Sequence, residues 1–448
     1  EDFYVGGAAG QPGALFLQQP GGKFAPKHLT VLERDKTYED MGSAFTDVDQ
    51  DGDLDLYVVS GGSEHPEGSA LYQDRLYLND GKGNFTKTTL PVTGSSGSCV
   101  LPLDIDADGD MDLFRGGHVV AGAYPRAPWS YLLINEKGKF MDRTREMFPA
   151  LPEIGMVTSA TWADLSGDKQ PELVIAGEWM PIRIFQYSEG KLKDVSKTFG
   201  IENTEGWWNK IIADDIDNDG DIDLIAGNHG ENYKFKASNE KPFQVFARDF
   251  DANGTNDIFL AKYYKDHLVP IRGRECTSQQ MPVIAEKFPS YESFADSDLE
   301  GIVGKDLEKA LHYEVRLFSS VMLINDNGKF NIRALPQEAQ LSAVNSIVVR
   351  DFDNDGIKDI LLAGNEFDAE VETTPADASP GVFLKGNGDL TFKSLKPYES
   401  GFFVPYNVKD VKVIGSGDNL KVLVSVNNDK LRIFKQTTAP ASEKLAMK

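Results

Sequence analysis

Asp47-Val48-Asp49-Gln50-Asp51-Gly52-Asp53-Leu54-Asp55 is the stretch on which the fold turns. It sets carboxylates at positions 1, 3, 5 and 9 of a nine-residue pattern, with glycine at position 6. The pattern recurs intact as Asp104, Asp106, Asp108, Gly109 and Asp112, as Asp215, Asp217, Asp219, Gly220 and Asp223, and as Asp351, Asp353, Asp355, Gly356 and Asp359. Two variants keep the frame: Asp164, Ser166, Asp168 and Glu172, and Asp249, Asp251, Asn253, Gly254 and Asp257. Successive starts lie 57, 60, 51, 34 and 102 residues apart, so one unit is shortened and one carries an insertion.

The flanks repeat too. A short apolar or β-branched run precedes most of the loops (Ser43 to Thr46, Lys210 to Ala213, Ser346 to Val349), and a second follows (Leu56 to Val59, Leu173 to Gly177, Ile360 to Gly364). A third strand, a glycine turn and an aromatic complete the unit, as in Leu76 to Asn79 then Phe85, Leu132 to Asn135 then Phe140, and Met322 to Asn325 then Phe330. Four short strands per unit, separated by turn residues, predict an all-β chain folded as a β-propeller. Continuous apolar runs suit strands covered on both faces by neighbouring blades. Asp2 to Gly7 matches a second strand, so a first strand and most of a loop are missing upstream; near the C-terminus, Gly415 to Asp418 marks a unit whose loop has lost its acid ladder. Six loop-bearing units and two incomplete ones predict eight blades, with seven as the alternative if the terminal units merge or the 34-residue unit is not a blade. The propeller is expected to occupy residues 1–436, with a helix-bearing insertion at 262–316 and a flexible tail at 437–448.

Alternating carboxylates in a tight loop converge on one point, and a hard cation such as Ca²⁺ takes six to eight oxygens. The glycine permits the turn. Position 7 is Asp53, Asp110, Asp221, Thr255 or Ile357, a variability expected where only its carbonyl oxygen is used. An EF-hand is excluded: position 12 is Val58, Arg115, Ala226, Leu260 or Leu362, not the required glutamate. Four to six structural Ca²⁺ ions are therefore expected, four in the intact loops and two in the variants. Mg²⁺, which prefers a smaller shell and keeps its waters, fits less well.

The 448 residues carry 70 acidic and 46 basic side chains, a net charge of −24. That balance argues against nucleic acid, whose binding rests on Lys and Arg at phosphates. Twenty-two of the carboxylates stand at positions 1, 3, 5 and 9 of the six loops, so six divalent ions would offset half of the net charge. No apolar run is long enough to span a membrane. The opening Glu1-Asp2-Phe3-Tyr4-Val5 has neither initiator Met nor signal pattern and reads as a mature or trimmed product. Two cysteines exclude a disulfide-rich scaffold; Cys99, in an apolar stretch, reads as a buried thiol, and its pairing with Cys276 is left open.

The repeats resemble FG-GAP/VCBS repeats, the calcium-bearing blades of the α-integrin head and of many bacterial surface proteins. The segments Val5 to Leu17 and Gly273 to Pro282 further resemble the C-terminal propeller of large bacterial proteins that carry an ASPIC/UnbV domain and are often encoded beside outer-membrane nutrient-uptake systems. That resemblance implies a place outside the cell or on the outer-membrane surface of a Gram-negative bacterium, outer-membrane uptake proteins as partners, and further domains in a longer parent chain.

The connections between second and third strands should gather on the face opposite the loops. They hold His118, Arg126, Trp129, Glu178, Trp179, Asn228 and His229, with Trp207 and Trp208 added by a fourth-to-first connection. Rings interleaved with polar groups suit a glycan or peptide ligand, and equally suit loops packed on each other. The insertion brings Arg272 and Arg274, and segments 277–288 and 305–311 read as short helices. No nucleophile elbow, phosphate loop or zinc-protease motif is present. The sequence thus points to a non-catalytic binding or docking module; a polysaccharide lyase recruiting His118, His229, Arg126 and Arg272, or a structural or adhesion scaffold, are the alternatives.

Overall fold

The computed structural model describes residues 1–369 and 373–436; the expected flexible tail and part of the connection after Glu366 lie outside the described residues. Antiparallel strands pair into eight sheets. The second sheet shows the unit: Asp40–Thr46, Asp55–Ser60, Arg75–Asn79 and Phe85–Thr88, paired in chain order, with the acidic loop between the first two. The third (Gly97–Leu103, Asp112–Gly117, Tyr131–Asn135, Phe140–Asp142) and seventh (Val344–Arg350, Asp359–Gly364, Val382–Gly386, Phe392–Leu395) repeat it. The fourth begins Met156–Ala163 and Glu172–Met180 and gains Gly206–Trp207 as a fifth strand. The first (Phe3–Val5, Ala14–Gln18, Phe24–Lys27) and eighth (Val408–Ile414, Lys421–Val426, Arg432–Lys435) have three strands each.

The fifth sheet departs from the sequence reading. Its first two strands, Lys210–Asp214 and Asp223–Gly227, pair not with the next strands in sequence but with Val321–Asn325 and Phe330–Ala334, Leu224 facing Leu323. The excursion therefore spans residues 228–320, not 262–316, and the 249–257 loop lies inside it. That loop joins Phe243–Arg248 to Asp257–Tyr264 in a sixth sheet completed by His267–Pro270 and Leu311–Val315. Burial is the physical reason. Ile225 and Met322 of the fifth sheet share one core with Ile347, Leu362 and Val382 of the seventh, so the sixth sheet is not in the succession. Its own core is closed by helices: Phe246 and Phe259 pack on Met281, Ile284, Phe288, Phe294 and Leu299. Helices Arg274–Gln280 and Val283–Lys287 occupy most of the segment expected to be helical, whereas 305–311 is a 3-10 turn (Lys305–Lys309) running into a strand.

Consecutive sheets meet through their first strands. Asp40–Thr46 lies beside Gly97–Leu103, which lies beside Met156–Ala163, and the series continues through Lys210–Asp214, Val344–Arg350 and Val408–Ile414. Small hydroxyl side chains lace these strands together: Ser98 Oγ donates to the Val157 carbonyl (2.5 Å), Thr158 Oγ1 to that of Trp208 (2.7 Å), and Ser346 Oγ accepts from Val411 N (2.9 Å). Apolar leaves fill the spaces between sheets, such as Phe114, Leu132, Phe148, Leu173 and Phe185 between the third and fourth. This all-β, sheet-on-sheet repetition is consistent with a β-propeller. Both cysteines are free thiols.

Candidate functional site

Each acidic loop is wired by its own backbone. The position-1 carboxylate accepts the amide of position 6, from Gly52 to Asp47 (3.1 Å) through Gly254 to Asp249 (2.8 Å) and Gly356 to Asp351 (2.9 Å). Position 6 has φ of 86–99° in the five loops with glycine there, a region that glycine occupies without steric cost. Position 5 accepts the amide of position 7, as Asp51 from Asp53 and Asn253 from Thr255. In the four intact loops position 9 is buried and accepts two amides, one from position 2 and one from the third strand. Asp55 takes Val48 (3.0 Å) and Asn79 (2.8 Å), Asp112 takes Ile105 and Asn135, Asp223 takes Ile216 and Asn325, and Asp359 takes Phe352 and Gly386.

With the backbone satisfied in this way, the remaining oxygens converge. One carboxylate oxygen from each of Asp47, Asp49 and Asp55 lies within 4.8 Å of the others, and the same holds for Asp104, Asp106 and Asp108, for Asp215, Asp217 and Asp223, for Asp249, Asp251 and Asp257, and for Asp351, Asp353 and Asp355. In four of these loops one further carboxylate, Asp51, Asp112, Asp219 or Asp359, stands outside the group of three. The third loop forms no such group, although Lys169 N still bonds Asp164 and Leu165 N still bonds Glu172. Ser166 there replaces the carboxylate that the other loops share, and Asp168 takes only the Gln170 amide. At position 7 of the second and fourth loops the aspartate side chain closes the turn between third and fourth strands, Asp110 taking Lys137 N (2.8 Å) and Asp221 taking Asn327 N (3.0 Å). That leaves the carbonyl for a cation; Ile357 has no side-chain donor atom at all.

Do these loops fit a hard cation? Asp47 Oδ1, Asp106 Oδ1 and Asp217 Oδ1 are buried and lack any hydrogen-bond partner, and an unpaired buried carboxylate oxygen is costly. Burial, then neighbouring carboxylates, push Asp106 and Asp217 above the usual carboxylate range. Burial outweighs the amide hydrogen bonds at position 9, raising Asp112 to about 7 and Asp223 to about 6. An oxygen-only, anionic and undercompensated donor set is what Ca²⁺ takes. The sixth loop differs: Lys385 Nζ pairs with Asp353 and with Asp355 (3.0 Å). The sequence signal missed elsewhere is the asparagine that ends the third strand. Asn135 Nδ2 donates to Val48 O (2.8 Å) and Asn325 Nδ2 to Leu165 O (2.8 Å), tying each third strand to the preceding unit's loop.

The opposite face holds the aromatic residues, but mostly as packing. Trp208 is fully buried between the fourth and fifth sheets, its Nε1 donating to Thr204 O (2.9 Å), so it is not on a ligand surface. Trp179 is 4% exposed; it stacks on Phe243 and, with Met156, Val245 and Phe318, seats the excursion on the fourth sheet. Asn228 is buried and bridges both ends of the excursion, accepting from Trp207 N and donating to Leu317 O. His229 is buried against the Trp207 ring (5.2 Å), and burial lowers it to about 4, which keeps it neutral. Arg274 is also structural, donating to Phe288 O (2.5 Å) and lying over Tyr291. Arg272 lines a water-sized cavity of about 10 Å³ with Phe259, Pro270 and Thr277.

The accessible remainder centres on Glu178. It bonds His118 Nε2 (3.2 Å) and the Trp207 side chain, with His229 nearby. Burial opposes charge on His118, but the Glu178 hydrogen bond and charge prevail and raise it; for Glu178, burial is likewise outweighed by His118, and its pKa falls. Trp129 is 38% exposed beneath the Arg145 guanidinium (4.6 Å), and Arg126 pairs with Glu67 (2.6 Å) on the surface. No described helix is long and apolar enough to cross a membrane.

Residues 47–114 and 164–226 match the family model for the FG-GAP-like repeat, two stretches that each start at an acidic loop. A search of curated proteins gives no significant match. FG-GAP repeats build propeller-like proteins that are often extracellular or adhesive, and they often bind Ca²⁺.

Proposed function

We propose that the protein is a calcium-stabilised β-propeller that works outside the cell as a binding or docking module. The observation that carries the reading is the set of orphaned, buried oxygens on Asp47, Asp106 and Asp217, in three of the five three-carboxylate clusters. Bound Ca²⁺ supplies charge neutralisation and cross-linking, not reaction chemistry. The residues that would hold it are positions 1, 3, 5 and 9 of each loop and the carbonyl of position 7. The ring we propose has seven blades within residues 1–436, because the succession of first strands passes from Lys210–Asp214 to Val344–Arg350 and leaves the sixth sheet as an insertion.

The partner-facing surface is the mouth around Glu178, His118, Trp207 and Trp129. A half-buried indole bonded to a carboxylate, with a second, exposed indole on Trp129, suits a glycan or an extended peptide, or a surface protein of an outer-membrane uptake system in a Gram-negative bacterium. Calorimetric Ca²⁺ titration of the chelator-stripped protein tests the first claim: several sites per chain are expected, and no heat at any Ca²⁺ concentration up to millimolar would end it. Glycan and peptide arrays probed with the wild type and Trp207→Ala test the second, with loss of a bound spot expected.

A further inference from the structure

Position 4 supplies no oxygen in the cation reading above, yet it is where one acidic loop touches the next. It lies between the position-3 and position-5 side chains, and its backbone is left-handed in every loop. There φ is 59–61° at Gln50, Ala107, Asn218, Ala252 and Asn354, and 75° at Gly167, a region that side chains other than glycine seldom enter. With the backbone held in common, the side chain alone decides what position 4 reaches.

Gln50 crosses from the first loop to the second. Its Nε2 donates to Gly109 O (3.1 Å) and to Asp110 Oδ1 (2.5 Å), while Asp110 Oδ2 takes Lys137 N (2.8 Å). Asp110 is buried, and it is the position-7 residue whose carbonyl would complete the second loop. Gln50 therefore holds the residue that would supply that loop's main-chain oxygen. A second tie runs the other way: Asn135, whose backbone N bonds Asp112 of the second loop, donates from Nδ2 to Val48 O of the first (2.8 Å). Asn218 repeats the crossing, its Nδ2 meeting Gly356 O of the sixth loop at 3.3 Å. That contact skips the fifth loop, which belongs to the excursion. Ala107, Gly167 and Ala252 have no side-chain donor, so the second, third and fifth loops send no such bond forward.

We infer that Gln50 and Asn218 couple neighbouring calcium loops, so that the loops fill in pairs, the first with the second and the fourth with the sixth. The inference rests on the calcium reading above. Two effects compete. An ion in one loop weakens the anionic field felt by the next, which opposes a second ion and acts between all neighbours. Against this, an ion held by Asp49 and Asp51 fixes the backbone of Gln50 between them. The Gln50 amide then keeps Gly109 and Asp110 in place before the second ion arrives, so that ion orders less chain. Only linked pairs gain this second effect, and by linkage the gain is the same in both directions.

The test disables one loop while giving it the charge of the loaded state. Positions 1, 3, 5 and 9 of the first loop hold four carboxylates. Asp49→Asn with Asp51→Asn leaves two, the net charge of the wild-type loop with one Ca²⁺ bound. The loop can still close, because an asparagine at position 5 accepts the position-7 amide in the fifth loop, where Asn253 takes Thr255 N. Asp106→Asn with Asp108→Asn disables the second loop in the same way. Hydrogen exchange of peptides spanning 47–55 and 104–112, followed through a Ca²⁺ titration of the full chain, gives a midpoint for each loop. Whichever of the two fills second in the wild type should need about fivefold more Ca²⁺ when the other is disabled. Gln50→Ala, which installs the residue that the second and fifth loops carry there, should raise that midpoint equally. In the disabled background Gln50→Ala should change nothing further; an equal weakening in both backgrounds would reduce Gln50 to a structural contact and overturn the coupling. Asn354→Ala, ahead of the eighth sheet whose loop has lost its acid ladder, should leave both midpoints unmoved. If a doubly substituted chain loses its circular dichroism spectrum, Asp49→Asn alone takes its place in the same cycle. Shifts below about twofold on disabling either loop would overturn the coupling and leave the calcium sites standing. No Ca²⁺-dependent protection in either loop would overturn the calcium reading and the coupling with it.

Discussion

The second and sixth acidic loops share one pattern and one backbone, yet differ in what stands over them. Asp104 and Asp351 both accept the glycine amide, and Asp112 and Asp359 both lock the loop to the third strand. In the second unit the residue before that lock is Ile134, an apolar side chain in the same core as Ile105 of the loop, and Asp106 keeps a buried, unpartnered oxygen. In the sixth unit the corresponding residue is Lys385, which reaches into Asp353 and Asp355. The strands leaving the loops differ as well. Position 12 is Leu362 in one and Arg115 in the other, where Arg115 and Asp74 form an ion pair with neither side chain exposed. The motif therefore sets the shape of a loop, while residues outside it decide whether a lysine already balances part of the charge.

The largest effect should come from breaking the second unit at position 12. Arg115 Nε meets Asp74 Oδ2 at 3.0 Å, Nη1 donates to Ser95 Oγ, and Asp74 also accepts Tyr57 OH and Ser60 N. Arg115→Leu makes this strand resemble the sixth unit's but strands the Asp74 carboxylate, at a cost of about 3–5 kcal/mol. Urea unfolding measures it. A loss below about 1 kcal/mol would mean that Asp74 finds another partner. Adding Asp74→Leu should recover much of the loss.

Calcium removal comes next. Each site held at about a hundredfold above its Kd adds about 2.7 kcal/mol. EGTA should therefore lower the melting temperature, and Asp104→Asn with Asp106→Asn should remove part of that response. The matched pair Asp351→Asn with Asp353→Asn should remove less, because Lys385 already offsets the sixth loop. Equal responses from the two pairs would show that the lysine swings away when metal binds.

How much of this was legible beforehand follows the same division. The acidic ladders and the flanking β runs are local features, and a chain written without long-range information displays them. The excursion was misplaced because the 249–257 loop looks like any other; only the pairing of Leu224 with Leu323, about a hundred residues on, shows which sheet it interrupts. Trp179 and Trp208 read as ligand platforms because an indole in a connection has the same sequence signature whether it faces solvent or a neighbouring core. Asp74 and Arg115 gave no signal, since each is an ordinary charge until the fold brings together side chains 41 residues apart.

A pH series in EGTA separates the loops in a metal-free state. Burial raises the Asp112 pKa from 3.8 to about 7 and that of Asp223 to about 6. The native state then holds protons that the unfolded state releases, so stability is greatest below pH 3.8 for these groups and is lost as pH climbs to about 7. Asp355 runs the other way: the Lys385 hydrogen bond lowers it, so its contribution is present at neutral pH and is lost in acid. The chelated protein should melt higher at pH 5 than at pH 7.5, and saturating Ca²⁺ should abolish that difference. Asp112→Asn should flatten the chelated profile; an unchanged profile would place the titrating group elsewhere.

The smallest effect is the most direct conversion of one loop into the other. Lys385→Ile gives the sixth unit the residue that the second has at this place. Removing the internal cation leaves Asp353 and Asp355 to repel each other, so the metal-free variant should be slightly less stable. For a metal the balance reverses: it no longer has to displace an ammonium, and the sixth loop should bind Ca²⁺ about tenfold more tightly, a change that needs only about 1.4 kcal/mol of relieved competition. Titration calorimetry on wild type and variant should show one class of sites sharpening while the others stay fixed. Lys385→Arg, which keeps the charge but spreads it over a planar fork, should leave the wild-type weakness in place. If Lys385→Ile and Lys385→Arg bind alike, side-chain packing over the loop controls affinity, and the contrast between the two loops lies in their shape after all.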